Sequence, residues 1–256
     1  MQKQEPIIKN RLGEKLDTWV ETPEGNIKAN IIMVHGFGTN KGETAGYFDD
    51  ISKALVQDNF RVIRFDFSGY GKSEGRQEDV CYTKQVDDLK SVWEFVKSSF
   101  NEPINIFSQS MGCWVTSITS LDGISKTLMT GIPNADTKIM IDRFIERFGN
   151  RVGAKLDFNG ISELPRSTGE VQQIGPKFWE EIKALDPVLS ISDYSNKTNL
   201  LIVHWLEDEI IGSEALKQYD VIPTLKFKWL HGNHSLSSPN DRTNFIKVML
   251  EFYNHE

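Results

Sequence analysis

Apolar positions along the chain fall into two patterns. Short runs rich in Val, Ile and Phe alternate with longer stretches in which apolar residues return every three or four positions. Residues 15–21, 30–34, 60–66, 104–107, 126–130, 199–204 and 224–230 read as strands. In the last of them Leu225, Phe227 and Trp229 alternate with Lys226 and Lys228, one set to each face. Residues 44–57 have helical spacing, with Phe48, Ile51 and Leu55 on one side. Residues 80–100 place Val86, Leu89, Val92, Trp93 and Val96 together, and 111–121 and 242–253 are further helices. Strands alternating with helices in this way predict helices packed on a mostly parallel sheet.

Residues 132–190 break the rhythm. They carry a helix at 136–148, then the hairpin-like L-D-F-N-G-I-S-E-L-P-R-S-T-G-E-V-Q-Q-I with its turn at P-R-S-T-G, then a helix at 176–185 that Pro187 stops. This segment is expected to be a lid-like insertion above the sheet, within a single domain spanning 1–256. Its aromatics Phe144, Phe148, Phe158, Phe178 and Trp179 either line a pocket or pack the insertion on the core.

The 256 residues are 39% hydrophobic and 25% charged, with a net charge of −7. That is an ordinary globular composition, long enough to bury a core. No Lys/Arg run invites nucleic acid or an anionic membrane, and no apolar run is long enough for stable membrane insertion. Cys81 and Cys113 make no disulfide framework and no metal-binding spacing. The N-terminal residues contain no apolar run of signal-peptide length, so a reduced, cytoplasmic protein is expected.

The chemistry concentrates in N-I-F-S-Q-S-M-G-C-W, residues 105–114. A nucleophilic serine at a strand-to-helix turn needs small neighbours two before and two after, where strand and helix crowd. Ser108 fails, with Ile106 and Ser110 at those positions. Ser110 passes, with Ser108 and Gly112. On this segment alone, a serine capping a helix remains an equal alternative. A serine hydroxyl also needs a base. Of the five histidines, His255 is near the C-terminus, His35 opens H-G-F-G after an early strand, and His204 reads as packed in or at the end of a strand. In W-L-H-G-N-H-S-L, His231 ends a strand, whereas His234 lies in the loop, from which it can turn over the carboxyl ends of the sheet. His234 is therefore the candidate base. Its other nitrogen needs an acceptor, and W-L-E-D-E-I-I-G offers Glu207, Asp208 and Glu209. Asp208 is the candidate, deep enough in the loop to reach across, with its neighbours expected in solvent. The N–H groups of Phe37, within H-G-F-G between Gly36 and Gly38, and of Met111 are the candidate oxyanion donors. Met111 and Trp114 are expected to shape the pocket floor, and Cys113 to be a small buried residue.

H-G-F-G, S-Q-S-M-G, E-D-E-I-I and H-G-N-H occur in the order serine, acid, histidine. With F-D-F-S-G-Y-G-K-S-E-G after a strand, the chain resembles the α/β-hydrolase superfamily from about Leu16 to the C-terminal helix. It is most similar to small bacterial carboxylesterases, of the cinnamoyl/feruloyl-esterase and monoacylglycerol-lipase-like kind. The resemblance implies an α/β-hydrolase fold with a compact lid and a serine esterase with Ser110, His234 and Asp208 as triad. It implies a small-molecule ester or thioester substrate, and no cofactor or metal. Acyl transfer or thioester hydrolysis by the same triad is the alternative, and a non-catalytic binding role a further one. The sequence departs from the pattern at Ser108, Trp205 and Gly212, where the family usually has glycine, glycine and proline.

Overall fold

The computed structural model describes residues 1–166 and 169–255. In chain order the strands are β1 (Gln2–Gln4), β2 (Ile8–Lys9), β3 (Lys15–Leu16), β4 (Thr18–Thr22), β5 (Asn30–Val34), β6 (Arg61–Phe65), β7 (Ile104–Gln109), β8 (Ile124–Thr130), β9 (Ser162–Pro165), β10 (Val171–Ile174), β11 (Asn199–Trp205) and β12 (Lys226–Leu230). The helices are α1 (Tyr47–Gln57), α2 (Tyr82–Ser99), α3 (Met111–Thr119), α4 (Thr137–Phe144), α5 (Pro176–Ala184), α6 (Pro187–Ser195) and α7 (Pro239–Asn254). Eight strands form one sheet in the order β1-β4-β6-β5-β7-β8-β11-β12. The pairings from β6 through β12 are parallel, and β1 and β4 add antiparallel edges.

The pleat sorts the side chains of each strand onto two cores. In β5, Ile32 and Val34 join the cluster under α2 and α3, and Ile31 and Met33 join the one under α1 and α7. β7 does the same with Ile104 and Ile106 on one side and Phe107 on the other. Near-continuous apolar runs are what strands covered on both faces require.

Several expected elements change. The expected strand at 15–21 is two strands: β3 pairs with β2, while β4 joins the main sheet. The break falls at Asp17, whose N–H turns to the Ser73 hydroxyl at 2.7 Å. The expected helix at 176–185 does end ahead of Pro187, as α5, but Pro187 also opens a further helix, α6, with the Asp186 carboxylate capping the Leu189 N–H at 3.0 Å. Proline at the first helical position loses no hydrogen bond. The expected helix at 136–148 is α4 followed by a π-helical turn, Ile145–Gly149. As an edge strand β12 begins only at Lys226 and leaves Trp229 41% exposed. Between β8 and β11 the chain forms α4, the antiparallel β9–β10 hairpin, α5 and α6. The tip of the expected P-R-S-T-G turn, Ser167 and Thr168, lies outside the described residues. Among the described residues no helix is long and apolar enough to cross a membrane.

Candidate active site

Every candidate residue sits just past the carboxyl end of a parallel strand, where open α/β sheets hold their ligands. Ser110 follows β7 as the cap residue of α3, with φ 53° and ψ −129°. A non-glycine residue held at positive φ is strained, and such strain collects at functional sites. The turn is locked by the Ser110 N–H donating to the Thr130 carbonyl at 2.9 Å. Gly112 shows why the second position beyond must be bare: a Cβ there would stand 2.6 Å from the His35 carbonyl oxygen and 2.7 Å from that of Val34. Ser108, by contrast, is wholly buried in the sheet, in register with Val34 and Met129.

Three of the predicted residues meet in a chain of hydrogen bonds. The Ser110 Oγ and His234 Nε2 are 3.0 Å apart, and His234 Nδ1 lies 2.8 Å from Asp208 Oδ2. Asp208 Oδ1 accepts from the N–H groups of Ile210 and Ile211 at 3.0 and 2.8 Å, which fixes the carboxylate. Burial works to raise the Asp208 pKa. The neighbouring His234, the Ile211 N–H and His204 outweigh it and hold the carboxyl below its usual value. A carboxylate so placed keeps Nδ1 as a donor and leaves Nε2 free to face the serine.

Of the three adjacent acids, only Asp208 reaches the His234 ring. Glu207 is exposed and pairs with His231 at 2.8 Å, which raises the His231 pKa through that hydrogen bond. Glu209 is exposed, as expected, but also borders the cavity and accepts from the His234 N–H at 3.3 Å. His204 is buried and donates from Nε2 to the Gly212 carbonyl at 3.1 Å, which ties the acid loop to β11.

The H-G-F-G loop lies against the serine. A Cβ at Gly36 would be 3.0 Å from Ser110 Cβ. The Gly36 N–H is taken by Glu43 Oε1 at 2.5 Å, while the N–H groups of Phe37 and Met111 have no acceptor among the described residues. His35 braces the loop from beneath: Nδ1 donates to the Gly36 carbonyl at 2.8 Å and Nε2 accepts from the Phe67 N–H at 3.0 Å. Burial holds its pKa below the ordinary value.

Ser110, His234, Phe37 and Met111 open on a cavity of about 1080 Å³. From the segment between β8 and β11, Phe144 and Phe148 line it. Phe178 and Trp179 are buried behind them, and Phe158 packs on Trp179 at 4.9 Å. Trp114 does not form the floor. Three residues along α3 from Met111, it turns into the protein and donates to the Tyr219 hydroxyl at 3.0 Å. Cys113 is buried, which pushes its thiol up to about 12.

Sequence reasoning missed Glu43, Gln109 and the bracing role of His35. Gln109 had one available signal. Strand alternation puts it on the Phe107 side of β7, away from Ser108, but only the fold shows that the loop carrying His234 passes there.

Residues 25–125 match the model of the family described as Serine aminopeptidase, S33. An uncharacterised 31.7 kDa protein from the traX-finO intergenic region of Escherichia coli is 24% identical over 200 residues, 72% of this chain and 68% of that protein. Among solved structures, Est1E from Butyrivibrio proteoclasticus with bound ferulic acid superposes with a TM-score of 0.76 at 21% identity, covering 96% of this chain and 98% of that one. The esterase domain of a Rhodothermus marinus protein gives 0.72 at 20% identity, covering 98% of both chains. Sheet order, the strained turn at Ser110 and these likenesses together identify the architecture of this chain as the α/β-hydrolase fold.

Proposed function

We propose that the protein is a serine hydrolase that cleaves a carboxylic ester through an acyl-enzyme. The observation that carries this reading is the unbroken relay from Asp208 to His234 to a strained Ser110 at the wall of a cavity. His234 takes the serine proton as Oγ attacks the carbonyl, and the developing oxyanion accepts from the Phe37 and Met111 N–H groups. His234 then protonates the leaving alcohol or thiol, and water deacylates Ser110 by the same path. Residues 132–190 act as the lid, with Phe144 and Phe148 as its cavity-facing surface. No step in this scheme calls on a metal or cofactor.

Labelling with a fluorophosphonate, read by intact mass, tests the reading alongside turnover of p-nitrophenyl esters. One adduct, lost in Ser110→Ala, with ester turnover in the wild type is the expected result. A folded wild type that takes no adduct would overturn it. The family match over residues 25–125 favours a second reading, hydrolysis of an amide next to a free amino terminus. Turnover of aminoacyl coumarin amides at rates rivalling the esters would select it.

A further inference from the structure

Three arginines gather around one ring in the segment between β8 and β11. The guanidinium carbons of Arg147, Arg151 and Arg166 lie 5.7, 5.2 and 5.5 Å from the centroid of Phe148. Aromatic faces attract such cations, but the cations repel one another unless an anion lies among them. Arg151 is engaged, donating to the Pro165 carbonyl at 2.8 Å. Among the described residues the Arg166 guanidinium has no hydrogen-bond acceptor and no carboxylate within 4.0 Å. Burial lowers its pKa, as do Arg147 and Arg151, while Tyr70 and Glu170 oppose them.

The location ties this cluster to the candidate active site. Arg166 Nη1 stands 2.6 Å from where a side chain on Gly38 would begin. That is two residues along the loop from Gly36, which touches Ser110. Arg147 and Arg166 line the same cavity as Ser110 and Phe37. Two acids of the wall are already bound: Glu43 by the Gly36 N–H and the Thr39 hydroxyl, Glu209 by the His234 N–H. The other three acids of the wall, Asp142, Glu146 and Glu170, are exposed, on α4, the π-helical turn and the residue before β10, and Glu170 is the one close enough to Arg166 to raise its pKa.

We propose that Arg166, assisted by Arg147, forms an anion subsite in this cavity, and that the substrate ester carries a carboxylate or phosphate several bonds from its scissile carbonyl. The planar guanidinium offers two parallel N–H donors, the geometry that carboxylate and phosphate oxygens accept. Phe148 holds its face and the Gly38 loop holds its edge. The second half of the proposal rests on the hydrolase reading, whereas the subsite itself does not.

The test compares three p-nitrophenyl esters of matched chain length on the full chain: a neutral alkanoate, one ending in a carboxylate and one ending in a phosphate. Wild type is expected to favour one anionic ester over the neutral one by at least about tenfold in kcat/KM, with the advantage shrinking in high salt. The arm with the advantage identifies the anion. Arg166→Gln is expected to cut the anionic-to-neutral ratio about tenfold, a ratio that cancels losses common to both esters. A wild-type ratio within about twofold of unity, or one that Arg166→Gln leaves intact, would overturn the proposal. Should Arg166→Gln not fold, competitive inhibition of wild-type neutral-ester turnover by adipate and by phenyl phosphate takes its place, and inhibition by neither overturns the subsite. If no ester is turned over and Ser110 takes no fluorophosphonate, the hydrolase reading fails alone. Calorimetric titration of wild type with adipate and phenyl phosphate then decides the subsite, with binding supporting it and no heat from either overturning it.

Discussion

The side-chain amide of Gln109 donates to the main-chain carbonyl of His234 at 2.9 Å. Its oxygen accepts from the Thr130 hydroxyl, so the residue beside Ser110 ties the loop carrying His234 to β8. Gln109→Leu keeps the bulk and removes both bonds, so the buried His234 carbonyl loses this donor, while the Thr130 hydroxyl retains the Ser108 carbonyl at 3.3 Å. The expected loss is about 1–3 kcal/mol of stability, with kcat falling at least about tenfold as the imidazole loses its register. Chemical denaturation and a kcat/KM split check this, since a merely structural role would lower stability without lowering the kcat of the folded fraction.

Asp208→Asn separates orientation from folding. Its remaining oxygen still accepts from the Ile210 and Ile211 N–H groups, so the loop is expected to keep its shape. The new amide donates to His234 Nδ1, forcing the proton onto Nε2, where it can no longer accept from Ser110. A fall in kcat of about 10⁴ is expected, with near-native melting temperature. Steady-state kinetics beside thermal unfolding distinguishes this from a general loss of structure.

Gly112→Ala tests the close approach of α3 to β5. Two backbone oxygens within 2.7 Å of the new methyl cannot swing away as side chains do. Overpacking of this kind costs about 1–3 kcal/mol, and any relief must shift the turn that carries Ser110. Lower melting temperature together with slower fluorophosphonate labelling is the expected pair of results.

Stability is expected to decline as pH drops below about 6.5, the ordinary histidine value. His35 and His204 are held neutral, mainly by burial, with pKa values below that point. In that window the unfolded chain binds protons that the folded chain refuses, so stability rises with pH and falls with acid. His35 has no room for a second proton, because Nε2 accepts the Phe67 N–H. Asp208 adds a separate loss at lower pH: its depressed pKa stabilises the fold above the ordinary carboxylate value, and that contribution disappears as pH falls through the folded value. Melting temperature followed from pH 8 downward checks both, and His204→Gln is expected to flatten the upper part of the decline.

Local pattern was enough for much of this molecule. β5 and β11 are largely apolar, and β6, β7 and β8 place apolar residues on both faces, because both faces of those strands are covered, and that demand is written directly into nearby residues. Ser110 was legible because its turn imposes size limits on residues two positions away, and order along the chain then narrowed the histidine and the acid. α6 was missed because a proline that follows one helix can also begin the next at its first residue, and Asp186 was the capping signal for that second role.

By itself, the sequence determined the alternation of strands and helices, the crowded turn at Ser110 and the candidates His234 and Asp208, all of which depend on residues within a few positions of one another. Only the tertiary structure decided which of Glu207, Asp208 and Glu209 meets the imidazole, that Gln109 and Glu43 brace the loops on either side, that Trp114 leaves the cavity, and that Arg166 comes to stand beside Gly38. These contacts join residues up to 128 positions apart in the chain. Their geometry is set by strand order and by packing between layers, and neither leaves a periodic trace in the residues that make them.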